Sequence, residues 1–186
     1  MKNIVYLFAV MLLAGMAMTS CKDKMQTPKV MNADTTEVTT PDTTIYGICG
    51  EGTSMHSLEL VTNEGDTLTF MIDDEESDNE VVQGGLLCGD KLAVIGYKGA
   101  DEMMAQRVLN LTTLEGKWTS LDRNFEIIDG GEVISTMQSE SNPYNAWKIL
   151  NGQLLLGRDT FDILTLGADS LEIENSKGIF VYKRQK

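Results

Sequence analysis

The side chains able to do chemistry are few, and their spacing suits little of it. One histidine, His56, and three cysteines, Cys21, Cys49 and Cys88, are the whole stock of imidazole and thiol groups, with no C-x-x-C pair among them. A zinc site needs several such ligands at short spacing, and a nucleophilic triad needs a histidine beside a Ser or Cys. His56 stands alone beside a turn and reads as a surface residue. A carboxylate pair across one cleft would suit glycoside hydrolysis. Acids such as Asp162 and Glu172, however, fall on the polar halves of strand alternation. Asp73-Asp-Glu-Glu-Ser-Asp-Asn-Glu80 concentrates six acids in eight residues, but it lacks the glycine and alternating spacing of a calcium loop and reads as solvated chain. The expectation is a protein without catalysis, metal or cofactor.

Cys21 differs from the other thiols in what precedes it. Residues 4–18 form an apolar run of 15 behind Lys2, short of the roughly 20 needed to span a bilayer but right for a secretory signal over residues 1–20. Met18-Thr19-Ser20-Cys21 resembles the lipobox of bacterial lipoproteins, with Met18 where leucine is usual. The resemblance implies that Cys21 becomes an acylated mature N-terminus. Each buried CH₂ of the acyl chains contributes about 0.8 kcal/mol, and more than one chain anchors stably. Ordinary signal-peptidase cleavage after Gly15 and Ala17 is the alternative. The lipobox reading places the protein in the bacterial cell envelope, tethered to a membrane, with the outer membrane expected.

Between anchor and domains lies a spacer, residues 21–44, whose last 23 residues hold seven threonines and two of the three prolines. With so little apolar surface it cannot offset the entropy of ordering. Its root-mean-square reach as a coil is roughly 25 Å. Asp34-Thr35-Thr36 and Asp42-Thr43-Thr44 resemble the acceptor triplet of a bacterial periplasmic O-glycosylation system, which implies sugars on Thr35 and Thr43; an unmodified spacer is the alternative. The chain carries 28 acidic and 15 basic side chains, a formal charge of −13, which opposes nucleic acid and anionic lipid faces. Solubility beside a membrane explains that charge without a partner.

Residues 45–186 carry no amphipathic helical period, only short alternating runs separated by Gly, Asn or Asp. The fold class expected is all-β, two small antiparallel barrels dividing near Glu115. In 45–115 the spacing predicts five strands: 45–49, 57–62, 67–72, 91–97 and 106–113. Their number and connector lengths resemble an OB-fold, which implies that the first strand lies beside the fourth. Cys49 and Cys88 would then come close, and an oxidising envelope favours a disulfide between an even remainder of cysteines. Two free thiols are the alternative, since Cys49 sits among apolar neighbours. With few aromatics and few cations, this half lacks the stacking groove of a nucleic-acid binder.

In 116–186 the turns around Asp129-Gly-Gly131, Asn151-Gly152, Arg158-Asp159, Gly167-Ala-Asp169 and Ser176-Lys-Gly178 predict eight strands. Alternation points Trp118, Phe125 with Ile127, Trp147 with Ile149, Leu171 with Ile173, and Phe180 with Tyr182 and Arg184 inward. Gly116-Lys117-Trp118 matches the G-x-W at the opening strand of lipocalins, and Arg184 lies near the end of the last run. The half therefore resembles a shortened lipocalin-like domain, in which a terminal arginine covers the tryptophan at one end of the barrel. The resemblance implies an eight-stranded meander and a ligand site drawn from Trp118, Tyr144, Trp147, Tyr182 and Arg184. The alternative makes the same side chains core, because eight strands leave room for packed side chains or one small ligand. The function expected is a non-catalytic envelope lipoprotein binding a small apolar ligand, a glycan or an envelope protein, or else an accessory protein with a filled barrel.

Overall fold

The computed structural model describes residues 41–73, 80–135 and 143–185, and these fold almost wholly as β-structure. The signal segment, Cys21, Thr35 and most of the acidic run lie outside the described residues. Residues 40–186 form one compact unit.

Six strands build the first sheet: β1 (Ile45–Cys49), β2 (Ser57–Thr62), β3 (Thr67–Met71), β4 (Val82–Gln83), β5 (Lys91–Lys98) and β6 (Met103–Asn110). They lie in the order β3-β2-β1-β5-β6-β4, and β3 also pairs with β6 through Phe70 opposite Met103. The sheet thus closes into a five-membered ring, β1-β2-β3-β6-β5, with β1 beside β5 as OB-type connectivity implies. The all-β barrel expected is present, with its joints antiparallel except for β3–β6 and β4–β6, which are parallel. A ring with an odd number of strands cannot be antiparallel at every joint. Inside it Cys49, Leu58, Leu60, Phe70, Leu92, Val94 and Val108 are buried. A bulge falls at Ile95/Gly96, where a Cβ on Gly96 would stand 2.4 Å from the Phe70 ring. Only glycine lets that ring lie against the strand.

β6 ends earlier than the alternation predicts. Leu111–Leu114 form a single helical turn, α1. Asn110, fully buried, causes the change: its side chain accepts from the Thr113 N–H at 2.8 Å, a cap that offers the backbone a better partner than a further ladder bond. The two leucines three apart then share one buried face.

The second sheet has eight strands: β7 (Gly116–Thr119), β8 (Asn124–Ile128), β9 (Glu132–Ser135), β10 (Trp147–Leu150), β11 (Gln153–Leu156), β12 (Asp159–Leu166), β13 (Ser170–Asn175) and β14 (Gly178–Arg184). Each runs antiparallel to the next, and β14 returns to pair with β7, setting Arg184 opposite Trp118. A bridge between Glu132 and Ala146 joins the remaining edges, helped by the Trp147 N–H donated to the Gly131 carbonyl at 2.8 Å. Asn151 and Gly152 both take positive φ, 49° and 77°, the two-residue hairpin that Asn-Gly favours because its twist matches the strands it joins.

The change of sheet falls at Glu115, and each barrel has its own buried cluster, but part of the first sheet packs into the second. Ala93, Leu109, Leu111 and Leu114 pack in one cluster with Trp118, Phe125, Phe161 and Tyr182. Gln83, 3% exposed, reinforces the join by acting as a short extra strand. Its side chain accepts from the Leu166 N–H at 2.8 Å and donates to the Leu164 carbonyl at 3.4 Å, next to the irregularity in β12 between Ile163 and Thr165. Arg107 of β6 adds a bond to the Ile163 carbonyl.

Candidate functional site

The inward side chains of the second barrel fill it. Trp118, Tyr182, Phe125 and Phe161 are each 2% exposed or less. Their rings meet edge to face, Phe125 with Tyr182 at 5.0 Å and with Tyr144 at 5.6 Å, a geometry that stabilises by about 0.5–1.5 kcal/mol per pair beyond burial. Trp118 Nε1 donates to the Leu114 carbonyl at 2.8 Å, so α1 plugs this end. The Arg184 guanidinium lies 4.3 Å over the Trp118 ring, the contact implied by the resemblance of the G-x-W segment. Arg184 also donates to the carbonyls of Thr113, Glu115 and Ala168, and burial draws its pKa below the usual value. It works as a clasp between the last strand and the linker.

Trp118, Tyr144, Trp147, Tyr182 and Arg184 therefore do not gather around one cavity. Tyr182 and Trp118 point into packed core, where alternation sends every second side chain and no room remains. Tyr144 caps the opposite end beneath Arg123, whose guanidinium stands 4.4 Å from its ring centroid. Above it is a polar hollow of about 480 Å³ rimmed by Arg158, Asp159 and Lys177. Trp147, half-buried, packs against the same core cluster and also borders a second space.

That space is an open groove of about 490 Å³ where the two barrels meet. Tyr46 and Ile48, the outward residues of β1, form one wall; Trp147 of β10 forms the other, with buried Ile149 behind it and the Gly130–Gly131 turn beside it. Both aromatic groups have their polar ends occupied. Tyr46 Oη donates to the Ile149 carbonyl at 2.7 Å, and Trp147 Nε1 donates to the Ile128 carbonyl at 2.7 Å. Burial, with Asp42 nearby, raises the Tyr46 pKa and keeps the phenol protonated. Lys91 stands among the lining residues with its ammonium 2.7 Å from Asp129 Oδ2 and 3.4 Å from Glu115 Oε1. The bond to Asp129 is the main reason the Lys91 pKa rises and the Asp129 pKa falls. Each of these two groups favours the charged form of the other, so the Lys91–Asp129 pair stays ionised at neutral pH. Lys148 and Asn63 complete the polar lining.

The cysteines are separate thiols, Cys49 buried and Cys88 exposed. Their backbones do come together, since the Cys49 N–H donates to Asp90 O at 2.8 Å and Gly89 N–H donates to Cys49 O at 2.9 Å. Strand alternation turns Cys49 into the barrel, 3.4 Å from Thr53 Oγ1, while Cys88 sits on the turn outside. Thr43 is exposed, and its hydroxyl bonds to Asn151 Oδ1 at 3.0 Å. His56 is exposed, and its carbonyl accepts from the Ile72 N–H. Asp162 lies on the outer wall of the second barrel, 2.9 Å from Gln153 Nε2. Among the described residues no three His, Cys, Asp or Glu side chains converge to hold a metal ion.

Sequence reasoning missed Tyr46, Ile48 and Lys91. The signal present was the outward half of β1, which carries two large apolar side chains on a strand whose inward half is already apolar. Comparison with protein-family models, curated proteins and solved structures finds no match for this chain.

Proposed function

We propose that the protein is a non-catalytic binding lipoprotein of the bacterial cell envelope, anchored to the outer membrane through acylated Cys21 and holding a small ligand in the groove between its barrels. The groove supports this reading: its volume lies in the range of small-molecule sites, about 300–1,000 Å³, and apolar walls converge with a few fixed polar groups. The lipocalin-like barrel then serves as a wall for the site rather than as its vessel. A purely accessory role is the second reading, favoured by the packed interior of that barrel.

Native mass spectrometry of detergent-extracted protein tests both parts. Wild type should carry acyl mass on Cys21 and a small non-covalent adduct, and Cys21→Ser should move from the membrane to the soluble fraction. A Cys21→Ser protein that still needs detergent for extraction would count against the anchor. An adduct-free wild type would favour the accessory role.

A further inference from the structure

Resting on the binding role proposed above, we infer that the groove takes a neutral saccharide, stacked on Trp147 and hydrogen-bonded to the carboxylates beside Lys91. Charge comes first. Two cations, Lys91 and Lys148, and two carboxylates, Glu115 and Asp129, line the groove, so it offers no surplus of either sign. Lys91 is committed to both acids at 2.7 and 3.4 Å. At Lys91 an anion would have to compete with those carboxylates and a cation with the ammonium, while Lys148, the other cation of the lining, is exposed to water. A neutral ligand displaces neither.

Shape and polarity narrow the choice further. Trp147 and Tyr46 spend their donors on the Ile128 and Ile149 carbonyls, so they contribute ring surface rather than hydrogen bonds. A purely apolar ligand would cover that surface but leave ionised carboxylates without water, which is costly. A sugar with equatorial hydroxyls meets both demands, since its C–H face lies flat on an aromatic ring while its rim hydroxyls point sideways. Asp129 and Glu115 bond Lys91 through one oxygen each, Asp129 Oδ1 also accepts from the Gly130 N–H at 2.9 Å, and carboxylate oxygens accept more than one hydrogen bond. They are acceptors for such hydroxyls, and the Asn63 amide adds donors.

The test is a titration of the full mature protein in detergent with cellobiose and di-N-acetylchitobiose, followed through the two indole N–H signals in nitrogen–proton NMR spectra. The Trp147 signal should shift and saturate, and the Trp118 signal should stay fixed. By isothermal titration calorimetry with the same saccharides, Trp147→Ala should weaken binding about tenfold or more, as loss of a central aromatic anchor does, while Trp147→Phe keeps part of it. The unshifted Trp118 signal reports that the variants are folded. Binding of the neutral apolar probe N-phenyl-1-naphthylamine in a Trp147-dependent way, without any saccharide binding, would overturn the saccharide inference and leave the binding role standing. Stronger binding of glucuronate than of glucose oligomers would also overturn it. Silence from every probe would sink both.

Discussion

Trp118→Ala lowers the unfolding free energy by about 3–5 kcal/mol, the range for a large aromatic side chain removed from a filled core. Trp118 is 1% exposed, sits opposite Phe125 across β7 and β8, and has Arg184 on its other side. Alanine leaves a hole that neighbouring strands cannot close without breaking ladder bonds, and it strands the Leu114 carbonyl that the indole had satisfied. It also removes the ring beneath the Arg184 guanidinium, an interaction of about 0.5–2 kcal/mol in comparable settings. Urea denaturation followed by circular dichroism measures the loss. Because Ala93, Leu109, Leu111 and Leu114 share the cluster with Trp118, both barrels should unfold in one transition shifted to lower urea. A loss below about 1 kcal/mol would mean that the barrel holds space around the ring and is not packed as described.

Gln83→Leu has the second largest effect, about 2–3 kcal/mol, and it acts through the joint rather than the core. The substitution keeps the volume but deprives the Leu166 N–H of its acceptor and the Leu164 carbonyl of a donor, both beside the irregularity in β12. Leaving a buried donor unpaired costs roughly 1–3 kcal/mol by itself. Gln83→Glu distinguishes this account from simple packing: a carboxylate could still accept from Leu166 N–H but could not donate to the Leu164 carbonyl. It should recover part of the stability in mild acid, where a protonated carboxyl can donate again. Equal stability of wild type and Gln83→Leu at neutral pH would show that the amide is not holding the barrels together.

Strand positions were largely legible because alternation is a local signal. Phe125 with Ile127 and Leu171 with Ile173 are inward both by pattern and in the fold, and the Asn151-Gly152 turn appears where its chemistry requires. Three features depended on contacts that alternation does not encode. Thr112 and Thr113 favour strands, and only the Asn110 cap turns their segment into α1. Val82–Gln83 is too short for any period, and its pairing comes from β6 and β12. The parallel β3–β6 joint follows from closure of an odd ring, which appears only when all five strands are placed.

The candidate site was less legible for a related reason. Tyr46 meets the Ile149 carbonyl across 103 residues of chain, and Lys91 reaches Asp129 only because the two barrels pack. Trp147 was recognisable as a large aromatic on a strand facing both core and surface. Trp118, Tyr144 and Tyr182 had the same residue types, but their neighbours on adjacent strands were equally bulky, and that crowding makes them core.

Hydrogen exchange of the two indole N–H groups tests most directly whether the eight-stranded barrel is a packed wall with the binding space outside it. Trp118 Nε1–H, 1% exposed and held by Leu114 O, should exchange only through global opening, at a rate set by the full unfolding free energy, whereas Trp147 Nε1–H beside the groove should exchange faster through local motion. Rapid exchange at Trp118, matching or exceeding Trp147, would mean that water enters the barrel interior and would contradict the account.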